Sequence, residues 1–225
     1  GDAVPADGRV VYCAQLTTQE AALTGESMPV AKTSDVLTGL SVALADRKNM
    51  VFMGTVIVGG NASFATSQAG DDIELNSMQL AGKLALSTLG ATGDATVVNA
   101  TGIDFAATDV GGDLVVTAST GEITDSASLS VGGSASFETS AGGDITIAAA
   151  GSVHFGTLTF NSRGAVRIAE DSTTVLSGMS TAVSLNLSST DAIANDNTAN
   201  VTVDENATVQ GANISLGEQL GDAMH

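Results

Sequence analysis

The residues whose types could do chemistry are few. The most compact group is Thr24-Gly25-Glu26-Ser27, a carboxylate between hydroxyls with a glycine beside it. Taken alone, the tetrad reads as a turn carrying a solvated acid. His154 and His225 are the two imidazoles, and both read as surface or turn residues rather than metal ligands. Asp71-Asp72, Asp171, Asp204-Glu205 and Asp222 are either solvated turn acids or weak calcium ligands. The nonapeptide GGxGxD calcium pattern is missing, which favours solvated turns. Cys13 is the only cysteine, so no internal disulfide can form, and its apolar surroundings predict a small buried hydrophobe.

Composition limits what can position these groups. Glycine makes up 26 of 225 residues, aromatics 3%, and there is no Trp. Small residues dominate, which suits thin, repeated β layers with tight turns. The net charge is −18, and it is uneven. Residues 1–60 hold six acids and four bases, whereas residues 61–225 hold nineteen acids against Lys83, Arg163 and Arg167. So acidic a surface repels phosphate backbones and anionic lipid, so a nucleic-acid partner is not expected. No run approaches the roughly 18–20 apolar residues of a membrane span. There is no initiator Met and no signal peptide, and Gly1 opens in mid-motif, which predicts a piece of a longer protein.

Three ordered blocks surround the tetrad. They are Gly1-Asp2-Ala3-Val4-Pro5-Ala6-Asp7-Gly8-Arg9, then Leu23-Thr24-Gly25-Glu26-Ser27-Met28-Pro29-Val30-Ala31-Lys32, then Asp46-Arg47-Lys48-Asn49-Met50-Val51-Phe52-Met53-Gly54-Thr55. Together they resemble the actuator domain of P-type cation-transporting ATPases, most closely the branch that moves calcium, sodium or protons. The resemblance implies a role for each residue of the tetrad. Glu26 would position and deprotonate the water that hydrolyses an aspartyl phosphate in another domain. Gly25 would let the backbone approach the phosphate, and Thr24 and Ser27 would supply hydroxyls. The family's phosphorylated DKTGT segment does not occur in these 225 residues. No cofactor is therefore expected here; Mg and ATP would enter only with the other ATPase domains. No activity is expected of this chain alone.

From residue 61 the pattern changes. Val58-Gly59-Gly60, Val110-Gly111-Gly112 and Val131-Gly132-Gly133 punctuate the chain. Short alternating runs follow, such as 72–75, 83–87, 144–147, 165–168, 183–187 and 200–203, each closed by Gly, Asn, Asp or Ser. The spacing predicts coils of about 21–23 residues with a longer period near 71. Such runs resemble the parallel β-helix repeats of large bacterial surface and secreted proteins, including filamentous-haemagglutinin-like adhesins. The expected fold is all-β: a right-handed parallel β-helix over 61–225, preceded by a partial, β-rich actuator-like segment over 1–60. Turn Asn, Ser and Thr are expected to bond their own copies one coil on.

Two function classes follow. One is a structural or cell-surface interaction protein with protein or glycan partners. The other is part of a P-type ion-transporting ATPase. The repeats suggest a secreted or surface location, the actuator-like segment a membrane. Residues 212–225 still read as ordinary repeat, so end-to-end self-association is expected, rising with salt as the −18 charge is screened. Light scattering across a salt series checks it: scattering that rises with salt is the expected outcome, and a chain monomeric throughout is the contrary one.

Overall fold

The computed structural model describes residue 4 and residues 7–10, 14–25, 28–37, 42–148 and 151–217. The early elements are β1 (Gly8–Arg9), β2 (Ala14–Gln19), α1 (Ala21–Thr24), β3 (Val30–Ala31), β4 (Met50–Val51) and β5 (Val56–Ala69). Their pairings are antiparallel: β1 with β4, and β2 with both β3 and β5. Cys13 lies outside the described residues, as do Val11 and Tyr12 before it.

Beyond β5 the chain coils. The strands are β6 (Ile73–Met78), β7 (Lys83–Leu89), β8 (Ala95–Asn99), β9 (Ile103–Phe105), β10 (Thr108–Val110), β11 (Leu114–Ala118), β12 (Ile123–Asp125), β13 (Leu129–Thr139), β14 (Ile145–Ile147), β15 (Val153–Ser162), β16 (Ala165–Glu170) and β17 (Thr174–Leu176). After them come β18 (Met179–Ala182), β19 (Ser184–Ser189), β20 (Ala192–Asn195), β21 (Asn200–Val203), β22 (Ala207–Gln210) and β23 (Asn213–Ser215). Every recorded pairing among β5 to β23, coil on coil, is parallel. The result is a parallel β-solenoid of about seven turns from residue 62 to 215, as the alternating runs imply.

The alternation produces this fold because each inward side chain lands on its counterpart one coil away. Leu75, Val97, Val116, Phe137 and Phe160 form one such ladder. Ile103, Ile123, Ile145, Val166 and Leu185 form another. Their side chains are nearly all buried, and one contiguous core runs through the coils. Phe137 and Phe155 meet edge to face at 5.7 Å, a favoured aromatic geometry. Along the stack, register steps range from 18 residues (Leu158 to Leu176) to 24 (Leu129 to Val153). Stacking fixes the strand residues and leaves the corners free to vary in length.

The second and third Val-Gly-Gly copies, at 110–112 and 131–133, mark a corner where successive backbones come close. A Cβ on Gly132 would sit 2.5 Å from the carbonyl oxygen of Gly111. Some corner Asn, Ser and Thr side chains meet one coil on, as the Thr181 hydroxyl does with Asn161 Oδ1 at 3.2 Å and Ser177 with Thr198 at 3.2 Å, whereas the corner aspartates bind the neighbouring backbone. Asp72 accepts the Asp94 N–H at 2.9 Å, Asp94 accepts that of Asp113 at 2.8 Å, and Asp113 accepts that of Ser134 at 2.7 Å. Carboxylates cannot donate to one another, so each takes the backbone donor of the next coil.

Replacing Phe137, which is fully buried in its ladder, with Ala is expected to cost about 3–5 kcal/mol. Gly132→Ala is expected to cost about 1–3 kcal/mol through overpacking. Val115→Thr, at an exposed position of β11, should stay within about 0.5 kcal/mol. Urea unfolding of the three variants checks the ranking.

Candidate functional site around the Thr-Gly loop

The sequence Glu20-Ala21-Ala22-Leu23-Thr24-Gly25 makes a single helical turn, an element the sequence reading did not include. Ala and Leu favour helix, and Gly25 closes it in the left-handed region at φ 76°. The Gly25 N–H donates to the Ala21 carbonyl at 2.9 Å. The Thr24 hydroxyl donates to the Glu20 carbonyl at 3.1 Å, so it braces the turn. Thr24 is half-buried, while Gly25 and Met28 are exposed. Glu26 and Ser27 lie outside the described residues.

The turn hangs on Glu20, and Glu20 is where the sequence blocks meet. Its carboxylate is fully buried and forms an ion pair with the equally buried Lys32 ammonium. Glu20 Oε1 also accepts the Thr18 hydroxyl at 2.9 Å. The Lys32 ammonium lies 5.3 Å from the centroid of the Phe52 ring, a cation–π arrangement. Lys32 closes the second block and Phe52 belongs to the third. The backbone joins them too: the Lys32 N–H donates to the Leu16 carbonyl, and the Thr33 N–H to the Lys48 carbonyl. The first block is attached by Asp7, whose Oδ1 accepts the Met53 N–H at 2.8 Å. The arrangement holds the start of the Thr24–Gly25 turn rigidly against a buried ion pair.

This segment sits on the first coil. Val4, Val10 and Leu16 are buried in the same cluster as Ala62, Ile73 and Leu75. Between the two lies a cavity of about 320 Å³, lined by Val10, Leu16, Val51, Phe64, Ile73 and Leu75, with Asp7, Arg9, Asp72 and Glu74 alongside.

The other sequence candidates are scattered. His154 is exposed on β15, and its Nδ1 lies 2.7 Å from the Ser172 hydroxyl. His225 and Asp222 lie outside the described residues. Asp72 belongs to the corner ladder, and Asp171, Asp204 and Glu205 are exposed or half-exposed near turns. Among the described residues, no three His, Cys, Asp or Glu side chains come together as a metal site would require. Sequence reasoning missed two groups. One is the Glu20–Lys32 pair, which needs the fold to bring it together. The other is Glu170, whose buried position was readable: the phase of Val166 and Ile168 places residue 170 inward as well.

Comparisons with known proteins divide the chain in the same way. Residues 1–81 match the family described as the P-type ATPase actuator domain. Residues 92–161 match a family described as repeats of unknown function (DUF5649). Calcium-transporting ATPase 1 of Lactococcus lactis is 48% identical over 75 residues, covering 33% of this chain and 8% of that protein. Calcium-transporting ATPase of Bacillus subtilis is 48% identical over 61 residues, covering 27% of this chain and 7% of that protein. An endoplasmic reticulum-type calcium-transporting ATPase 2 of Arabidopsis thaliana is 37% identical over 81 residues, covering 35% and 8%. The chain thus spans less than a tenth of the length of these relatives. No solved structure matches it. The actuator match extends through residues 62–81, which form the first coil of the solenoid.

Removing one member of a buried ion pair strands the other charge. Lys32→Met is therefore expected to destabilise the N-terminal segment by about 3–5 kcal/mol. The double variant Glu20→Leu/Lys32→Met should recover most of that loss. Denaturant titrations of the single and double variants, followed by a probe in β2, check this.

Proposed function

We propose that this chain is a structural or interaction protein in which an actuator-like segment caps a β-solenoid rod, with no catalysis of its own. The observation that carries this reading is strand β5. Its first half pairs antiparallel with β2, from Val56 to Asn61. Its second half pairs parallel with β7, from Ala62 onward. One continuous strand therefore ends the actuator-like segment and begins the coil. The change of motif content near residue 60 falls within this strand, which supports a single folding unit. A solenoid's first coil has an edge to cover, and an atypical terminal segment is the usual cover.

In this reading the rod presents its acidic faces to protein or glycan partners, and surface display on a bacterial cell is the setting it favours. The acidic rod is a poor surface for nucleic acid. Among the described residues, no helix is long and apolar enough to cross a membrane. The matched repeat family carries no assigned function, so an adhesin-like role rests on the sequence resemblance alone.

A second reading has its own support. The relatives that match the first third of the chain are named calcium-transporting ATPases. In that reading the chain is part of a P-type ion pump, and Glu26 would act on an aspartyl phosphate held by a domain elsewhere. Thr24 ends α1 and Gly25 caps it in the left-handed region, an exposed turn that supports this reading.

Acetyl phosphate hydrolysis separates the two. The native chain and Glu26→Gln should release phosphate at the same background rate. A rate that depends on Glu26 would favour the pump reading. The cap itself is tested by Leu16→Ala, which opens the shared core and is expected to cost about 2–5 kcal/mol. If the segment caps the rod, β2 and the first coil should lose structure in one transition. Two separate transitions would mean that the segment folds independently of the rod.

A further inference from the structure

One cluster of polar groups belongs neither to the loop nor to the corner ladders. Glu170 ends β16 and is 3% exposed. Its Oε1 accepts the Phe155 N–H at 2.9 Å and the Ser172 hydroxyl at 3.0 Å. Its Oε2 accepts the Thr174 hydroxyl at 2.6 Å. The carboxyl therefore ties the beginning of β15 to the corner that leads into β17. Ser172 continues the chain outward, because its hydroxyl also lies 2.7 Å from Nδ1 of the exposed His154. Carboxyl, hydroxyl and imidazole thus run in line from the core to solvent. The Ser172 carbonyl is fixed by the Ser189 hydroxyl of the next coil.

We propose that His154, Ser172 and Glu170 form a proton relay that makes this corner of the fifth coil a pH-responsive latch. Protonated Glu170 donates to Ser172 Oγ, and Ser172 donates to His154 Nδ1 in the Nε2–H tautomer. When Glu170 passes its proton to Ser172 as Ser172 passes its own to His154, one proton has moved outward. The products are a carboxylate and an imidazolium, with total charge unchanged. The imidazolium now donates to Ser172 Oγ, which donates to the carboxylate. The reverse shift carries a proton inward.

Burial pushes the Glu170 carboxyl above its ordinary value, against the hydrogen bonds from Thr174, Phe155 and Ser172 and the charge of His154, which all pull it down. The other charged groups near it in chain or register are Arg167 on β16, Asp171 at the corner and Asp191 at the same corner of the next coil. Folded Glu170 holds its proton more tightly than the unfolded chain does. Its contribution to stability is therefore full below the unfolded carboxyl value and is lost as pH rises through the raised folded value.

Carboxyl and imidazole NMR titrations of the whole chain test the relay. In the native protein, the His154 ring nitrogen shifts should report a second step at the Glu170 midpoint. Ser172→Ala should abolish that step, and Ser172→Thr, which keeps a hydroxyl, should restore it. Ser172→Ala and His154→Gln should each raise the Glu170 midpoint. Thermal unfolding gives an independent readout. The melting temperature of Glu170→Gln relative to native should rise as pH increases from about 4.5 to 8, because the variant has no buried charge to form. A His154 titration indifferent to Ser172→Ala, or a Glu170→Gln difference constant with pH, would overturn the proposal.

Discussion

The structure depends on one constraint: a single coil cannot bury its own apolar stripe or satisfy its own strand edges. Inward Val, Ile, Leu and Phe side chains are covered by their counterparts one coil away, and strand backbone groups pair between neighbouring coils. The ladders Leu75–Val97–Val116–Phe137–Phe160 and Ile103–Ile123–Ile145–Val166–Leu185 are the direct result. The same constraint explains the N-terminal segment. Something must lie over the first coil, and Val4, Val10 and Leu16 do so.

The corners obey a second requirement, which is close approach. At the Val-Gly-Gly copies of 110–112 and 131–133 there is no room for a Cβ between successive backbones. Beside them a file of aspartates meets the N–H groups of the following coil. This placement gives acids a structural use on a chain that is already strongly negative. It concentrates like charge along one corner while each carboxylate is held by a hydrogen bond from the neighbouring backbone. The acidity of the repeat region is thus partly built into its stacking.

In the actuator-like segment the second and third sequence blocks converge on the Glu20–Lys32 pair beside Phe52, and the Thr24–Gly25 turn grows from Glu20. Strand β5 leaves the antiparallel pairing with β2 and continues into parallel pairing with β7. A strand can do this because its two halves offer their edges to different neighbours.

The sequence by itself determined the periodic part. Runs such as 83–87 and 165–168 name their own inward residues, since a strand's side chains alternate and a slip of one would turn every apolar group outward. The glycine pairs located the tight corners, and the three N-terminal blocks identified the actuator-like segment. Other features arose only from the tertiary structure. Glu20 and Lys32 are twelve residues apart in sequence, and nothing in their local pattern marks a buried pair; the fold brought them together, with the Phe52 ring 5.3 Å from the Lys32 ammonium. The alternation placed Glu170 inward, but its donors from Phe155 and Thr174 and its link through Ser172 to His154 came from coil closure. The union of the two halves was likewise a tertiary decision, because a strand's pairing depends on which edges come within reach, and that is not a local property of its sequence.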